Sequence, residues 1–169
     1  MVHSIELLFD GETEATINRI WDDLAAADLP GHAPAGRPHV TLAVADRITP
    51  DVDALLRPVA RRLPLACIVG APLLFGSSNA VLARLIVPSA ELLALHAEVH
   101  RICGPYLVPG PLPNSLPGQW TAHVTVARRV GGPQLERAFR LAGKPSEVQG
   151  TLAGLRRWDG TARVEHPIS

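Results

Sequence analysis

The sequence predicts an α+β fold: a bilobal, duplicated β-α-β-α-β plan, with two mainly antiparallel sheets facing a central cleft about a pseudo-twofold axis. Three observations predict it. Strand-like and helix-like segments alternate along the chain. The order of the first half recurs in the second. The second strand of each half opens with His-Val-Thr and an aliphatic residue, once at His39 and once at His123. The expected organisation is a single domain over residues 1–169, with lobe-forming repeats at about 2–76 and 80–168 and strands open to exchange between the lobes.

Composition limits the classes open to the chain. Of 169 residues, 47% are hydrophobic and 19% charged, which suits a packed domain and excludes a disordered or collagen-like one. Aromatics make up 4%, so aliphatic side chains must fill most of the core. Sixteen basic residues balance sixteen acidic ones. A protein that wraps long RNA or DNA carries a basic excess, so the expected partner is a small nucleotide or an RNA terminus, with no long nucleic acid. Cys67 and Cys103 have neither disulfide-framework nor zinc-ligand spacing, and they read as small buried hydrophobes in a reducing, cytoplasmic setting. Met1-Val2-His3-Ser4 lacks the basic start of a signal peptide, and no apolar run approaches the roughly 20 residues of a membrane span. No membrane partner is expected, and oligomeric state is left open.

The elements follow in order. Residues 4–9 read as a strand. From Glu12 to about Ala26, Ile17, Ile20, Trp21 and Leu24 recur at helical spacing. Leu29-Pro30-Gly31 ends that helix, and a Pro/Gly-rich loop runs to Pro38. The β-branched run from His39 to Val44 is a second strand. Pro50 opens a short helix over about 51–62, and residues 65–75 form a third strand with an irregularity near Gly70 and Pro72. Gly76-Ser77-Ser78-Asn79 is a hairpin turn into a fourth strand over 80–87, since it lacks the Gly-Lys-Ser/Thr ending of a phosphate loop. Pro88 and Ser89 start a helix that runs to about Cys103. Residues 104–118 read as a long loop, 122–128 as a strand, 133–141 as a helix, and 148–157 and 162–166 as closing strands.

The doubled motif carries the chemistry. Seven histidines and eight threonines among 169 residues give well under one His-x-Thr by chance, and here the same His-Val-Thr core stands at matching points of two halves. On a strand, residues i and i+2 share a face about 6–7 Å apart. His39 and Thr41 then point one way, with Val40 and Leu42 behind them. His123 and Thr125 do likewise, backed by Val124 and Val126. Two such strands at a lobe interface present two imidazoles and two hydroxyls to one phosphate-sized cavity. Near neutral pH one imidazole can take a proton while the other gives one, as in-line attack at phosphorus requires. The hydroxyls can donate to the non-bridging oxygens as negative charge gathers there. Neither a metal nor another cofactor is needed.

The sequence resembles the 2H phosphoesterase superfamily, in its 2′-5′ RNA ligase-like and cyclic phosphodiesterase branch. Arg37-Pro38-His39-Val40-Thr41-Leu42 and Trp120-Thr121-Ala122-His123-Val124-Thr125-Val126 carry the resemblance. Phe9-Asp10 at the end of the first strand and Leu95-His96 on the helix before the second motif support it. The resemblance implies a bilobal pseudo-twofold fold and metal-independent hydrolysis or transesterification of 2′,3′-cyclic phosphates or 2′-5′ phosphodiesters. It makes His39 and His123 the catalytic pair and Thr41 and Thr125 the phosphate-binding pair, and leaves open which histidine is acid and which base. Ala122 stands where many relatives have proline, which alters the strand entry and not the chemistry.

Weaker candidates surround these four. Arg128 lies five residues beyond His123, on the opposite face of a regular strand, unless a bend at the strand end swings it to the phosphate. Phe75 and Trp120 are candidates to stack a base at the cleft rim, against the alternative of core packing. His96 and His100 have the i, i+4 spacing of a zinc pair, but Glu98 points away and no third ligand is evident. The competing readings are therefore a nucleotide- or RNA-end-binding module without turnover, and a zinc hydrolase built on His96 and His100.

Overall fold

The computed structural model describes residues 1–31 and 36–169. His32 and the middle of the loop expected before Pro38 lie outside the described residues. The strands are β1 (His3–Phe9), β2 (His39–Ala45), β3 (Arg47–Ile48), β4 (Leu65–Phe75), β5 (Ala80–Ile86), β6 (Leu107–Val108), β7 (His123–Val130), β8 (Val148–Asp159) and β9 (Val164–Ile168). The helices are α1 (Gly11–Ala26), α2 (Val52–Leu55), α3 (Arg57–Ala60), α4 (Ala90–Cys103) and α5 (Leu135–Ala142).

Local chemistry sets the helix boundaries. The Asp10 carboxylate accepts from the Thr13 amide at 3.0 Å and so caps α1, which buries Ile17, Ile20, Trp21 and Leu24 along one stripe. The Ser89 hydroxyl caps α4 by accepting from the Leu92 amide at 3.1 Å. The helix expected over 51–62 is instead two single turns, α2 and α3. Pro58 has no amide hydrogen to return to the carbonyl four residues earlier, so the ladder breaks there. The expected loop at 104–118 begins with a 3-10 turn, Gly104–Tyr106, and then supplies β6, which pairs with β3 through Arg47↔Val108 and Ile48↔Leu107. A two-residue pairing has no hydrophobic period from which to read it.

The main sheet is antiparallel throughout and runs β2-β1-β8-β4-β5-β7. One edge of β8 follows β1. Its other edge is shared between β4, over Val148–Leu152, and β9, over Leu155–Asp159. The strands of the two motifs, β2 and β7, are therefore the two ends of this path, and they lie against each other. Each is backed by a helix from the opposite half of the chain: α1 packs on β7, and α4 on β2. Val40, Leu42, Val124 and Val126 are buried in the apolar core behind the motif strands. No helix among the described residues is long and apolar enough to cross a membrane.

Candidate active site

Two adjoining hollows, of about 530 and 430 Å³, open where β2 meets β7. The first is lined by His123, Thr125, Thr41, Phe75, Trp120 and Arg128, among others. The second is lined by His39, Thr41, Glu6, Arg37, Arg128 and Arg156, among others. Thr41, Val44 and Arg128 belong to both, so the four motif side chains border one divided cleft. Its size suits a small ligand.

Both histidines are fixed in the same way. His39 Nδ1–H donates to the Arg37 carbonyl at 2.8 Å, and His123 Nδ1–H donates to the Thr121 carbonyl at 2.7 Å, two residues back in each case. A carbonyl only accepts, so Nδ1 carries hydrogen on both rings, and proton exchange is left to Nε2. The threonine backbones are anchored as a pair as well. The Trp120 indole N–H donates to the Thr41 carbonyl at 3.0 Å, and the Trp21 indole N–H to the Thr125 carbonyl at 3.3 Å. Trp21 rides on α1 and Trp120 precedes β7, so each indole ties the motif strand of the other half.

The rings differ electrostatically. Burial pushes the His123 imidazole below its ordinary value, and the positive charges of His39 and Arg128 add to this against the opposing hydrogen bond to Thr121. The Phe75 ring packs on it at 4.6 Å between centroids. His39 instead has a carboxylate beside it, with Glu6 Oε1 3.6 Å from Nε2.

A matching β-bulge shapes each motif strand. Along β1 and β2 the register passes from Ile5↔Ala43 to Glu6↔Thr41, and along β5 and β7 from Leu82↔Ala127 to Ala83↔Thr125. Leu42-Ala43 and Val126-Ala127 are thus consecutive buried pairs, and side-chain alternation flips after them. Val44 and Arg128 come back to the cleft face as a result. The odd spacing of Arg128 from His123, which sends it away on a regular strand, here brings it into the cleft. The shared Ala two places after each motif threonine is the sequence signal of this device.

The remaining candidates are placed as follows. Trp120 lines the cleft, but it stacks on His96 at 3.8 Å and 3° and uses its N–H on Thr41, so one face is already covered. His96 and His100 are buried beneath the cleft. Their Nε2 atoms donate to the carbonyls of Ser115 and Leu42, each at 2.8 Å. Burial, with help from His100, pushes His96 down to about 4. Each ring has one nitrogen committed to a backbone carbonyl, and no group of three ligating side chains is found among the described residues. Cys67 and Cys103 are buried thiols, which burial pushes up to about 11 and about 12. The sequence reading passed over Glu6 and Arg156. A charged residue amid the apolar run of β1 was the available sign of Glu6.

The fold is thus an antiparallel α+β sheet whose two end strands, β2 and β7, each open on a His-x-Thr. The chain belongs to the 2′-5′ RNA ligase superfamily of 2H phosphoesterases, whose family model matches residues 9–162. No curated protein matches the chain by sequence. Among solved structures, Kluyveromyces marxianus Usb1 superposes with a TM-score of 0.56 at 14% identity, covering 99% of this chain and 97% of that one. The same protein with uridine monophosphate gives 0.54 at 13% identity, with the same coverage. The MHV ns2 PDE domain gives 0.51 at 12% identity, again over 99% and 97% of the two chains. At such identities the likeness is one of fold.

Proposed function

We propose that this chain is a metal-independent phosphodiesterase acting on 2′,3′-cyclic phosphates or 2′-5′ phosphodiesters of RNA ends or small nucleotides. The observation that carries this reading is the pair of imidazoles on facing end strands, each with Nδ1 tied to a carbonyl and Nε2 left for proton transfer. Supporting it are the superfamily, the size of the cleft, and the uridine monophosphate in the Usb1 structure, a nucleotide carried by a similar fold.

In ring opening, one Nε2 accepts the proton of the attacking water as its oxygen bonds to phosphorus. The bond from phosphorus to a ribose oxygen breaks, and that oxygen takes a proton from the other Nε2. Thr41 and Thr125 donate to the non-bridging oxygens, and the Arg128 guanidinium meets the charge gathering on them. These groups together cover attack, departure and charge, so no Lewis acid is required.

The test is product analysis with uridine 2′,3′-cyclic phosphate in the presence of EDTA. Turnover to a uridine monophosphate is expected, and His39→Ala or His123→Ala lowers it by about 10²–10⁴. Full turnover in both single variants, or binding with no product, overturns the proposal.

A further inference from the structure

The two halves of the cleft share a backbone plan but not a charge pattern. Opposite Thr41 on the neighbouring strand stands Glu6, and opposite Glu6 on β8 stands Arg156. One rung therefore runs Thr41–Glu6–Arg156 across three strands, its side chains on one face. The corresponding rung of the other half runs Thr125–Ala83–Leu73. At the position that follows the bulge the pattern reverses: Val44 stands in the first half and Arg128 in the second. His39 thus has a carboxylate for a neighbour where His123 has the Phe75 ring and a guanidinium.

Glu6 is held in one orientation. It is 3% exposed. Its Oε2 accepts from Arg156 Nε and Nη2 at 2.8 and 2.7 Å, and its Oε1 accepts from the Ser4 hydroxyl at 2.5 Å. Arg156 is braced in turn by Glu165 at 2.8 Å and lies over the Trp158 ring at 5.2 Å. The charged side chains around His39 are Glu6 on β1, Arg156 on β8, Arg37 ahead of β2 and Arg128 on β7. Arg37 is paired with Glu14, and Arg156 with Glu6 and Glu165. Glu6 is the carboxylate that faces the ring. Its Oε1 stands 3.6 Å from Nε2, beyond hydrogen-bond length, so the carboxylate faces that nitrogen without occupying it.

We infer that Glu6 is a positioning residue that makes His39 the proton donor to the leaving oxygen and leaves His123 as the base, an inference that rests on the proposed phosphodiesterase reaction. The buried carboxylate faces the His39 nitrogen that gives its proton to the leaving oxygen. Burial, with Arg128 nearby, favours the neutral form of His123. Water gives its proton to His123 as it bonds to phosphorus, and the departing ribose oxygen takes the proton of His39. The product leaves as a monophosphate, and exchange with solvent restores both rings.

The experiment compares Glu6→Gln with the unaltered protein on two uridine substrates. The 2′,3′-cyclic phosphate expels an alkoxide that needs the acid, whereas the 3′-(4-nitrophenyl) phosphodiester of 2′-O-methyluridine, which has no 2′-hydroxyl to attack in place of water, expels a phenolate that departs without one. Glu6→Gln is expected to lower kcat on the cyclic substrate by about 10- to 100-fold with KM within about twofold, and to change the aryl ester by less than about threefold. Should that variant fold poorly, Ser4→Ala, which only unties the carboxylate, reads the same ratio with a smaller drop. Equal losses on both substrates, or no loss on the cyclic one, overturn the inference. If His39→Ala and His123→Ala still abolish turnover in that case, only the role of Glu6 falls. Full activity in both histidine variants removes the underlying reaction as well.

Discussion

At the scale of single residues, the cleft is built from side chains whose neighbours differ more than their sequences do. His39 and His123 sit in near-identical tripeptides with identical Nδ1 anchors, yet burial, His39 and Arg128 lower the latter's affinity for a proton. A base works unprotonated, so its rate falls as pH drops through its pKa. A lowered pKa therefore extends activity toward acid. The acid limb of kcat/KM against pH is expected below the ordinary histidine range. Arg128→Met removes one of the charges that lower it, so the limb moves to higher pH while KM rises with the loss of a phosphate partner. An unmoved or acid-shifted limb in that variant contradicts the role given to Arg128. The motif histidines and threonines were legible because a doubled tripeptide is rare by chance. Glu6 was not, because its role depends on which strand lies next to β2, and a single strand's sequence does not say.

At the scale of elements, the strands and long helices were legible from periodicity and caps: β1, α1, β2 and α4 fall within a residue or two of the boundaries their residues imply. Three features escaped. The paired bulges leave only a shared alanine in the sequence, and they decide that Arg128 and Val44 face the cleft. The β3–β6 ladder is two residues long. The third is Arg84, fully buried on β5, a cation whose hydrogen bonds among the described residues all go to backbone carbonyls. It donates to the carbonyls of Gly70 at 2.5 Å, Ala142 at 2.8 Å, Pro145 at 2.7 Å and Ser146 at 3.1 Å, and so joins β4, β5 and the end of α5. Arg84→Met strips several carbonyls of their donor at once and is expected to cost about 3 kcal/mol in urea or thermal unfolding. A change below about 0.5 kcal/mol would mean that water replaces the guanidinium without loss.

At the scale of the molecule, function depends on how two halves of one plan are interlocked. The penultimate strand β8 lies between β1 and β4, α1 backs β7, and α4 backs β2. Trp21 and Trp120 each bind the motif threonine of the opposite half. The repeated plan could be read from the order of elements. The strand order could not, because local patterns specify that a strand exists and not which strand lies beside it. The cleft owes its form to that order, which puts β2 and β7 at the ends of the sheet path and turns them toward each other.

The most direct test is a crystal structure with uridine vanadate, which holds five oxygens around vanadium as in-line displacement holds them around phosphorus. The account predicts His39 Nε2 and His123 Nε2 at the two apical oxygens, on opposite sides, with the Thr41 and Thr125 hydroxyls on equatorial ones. Vanadate bound away from this cleft, or touched by only one of the two imidazoles, would contradict it.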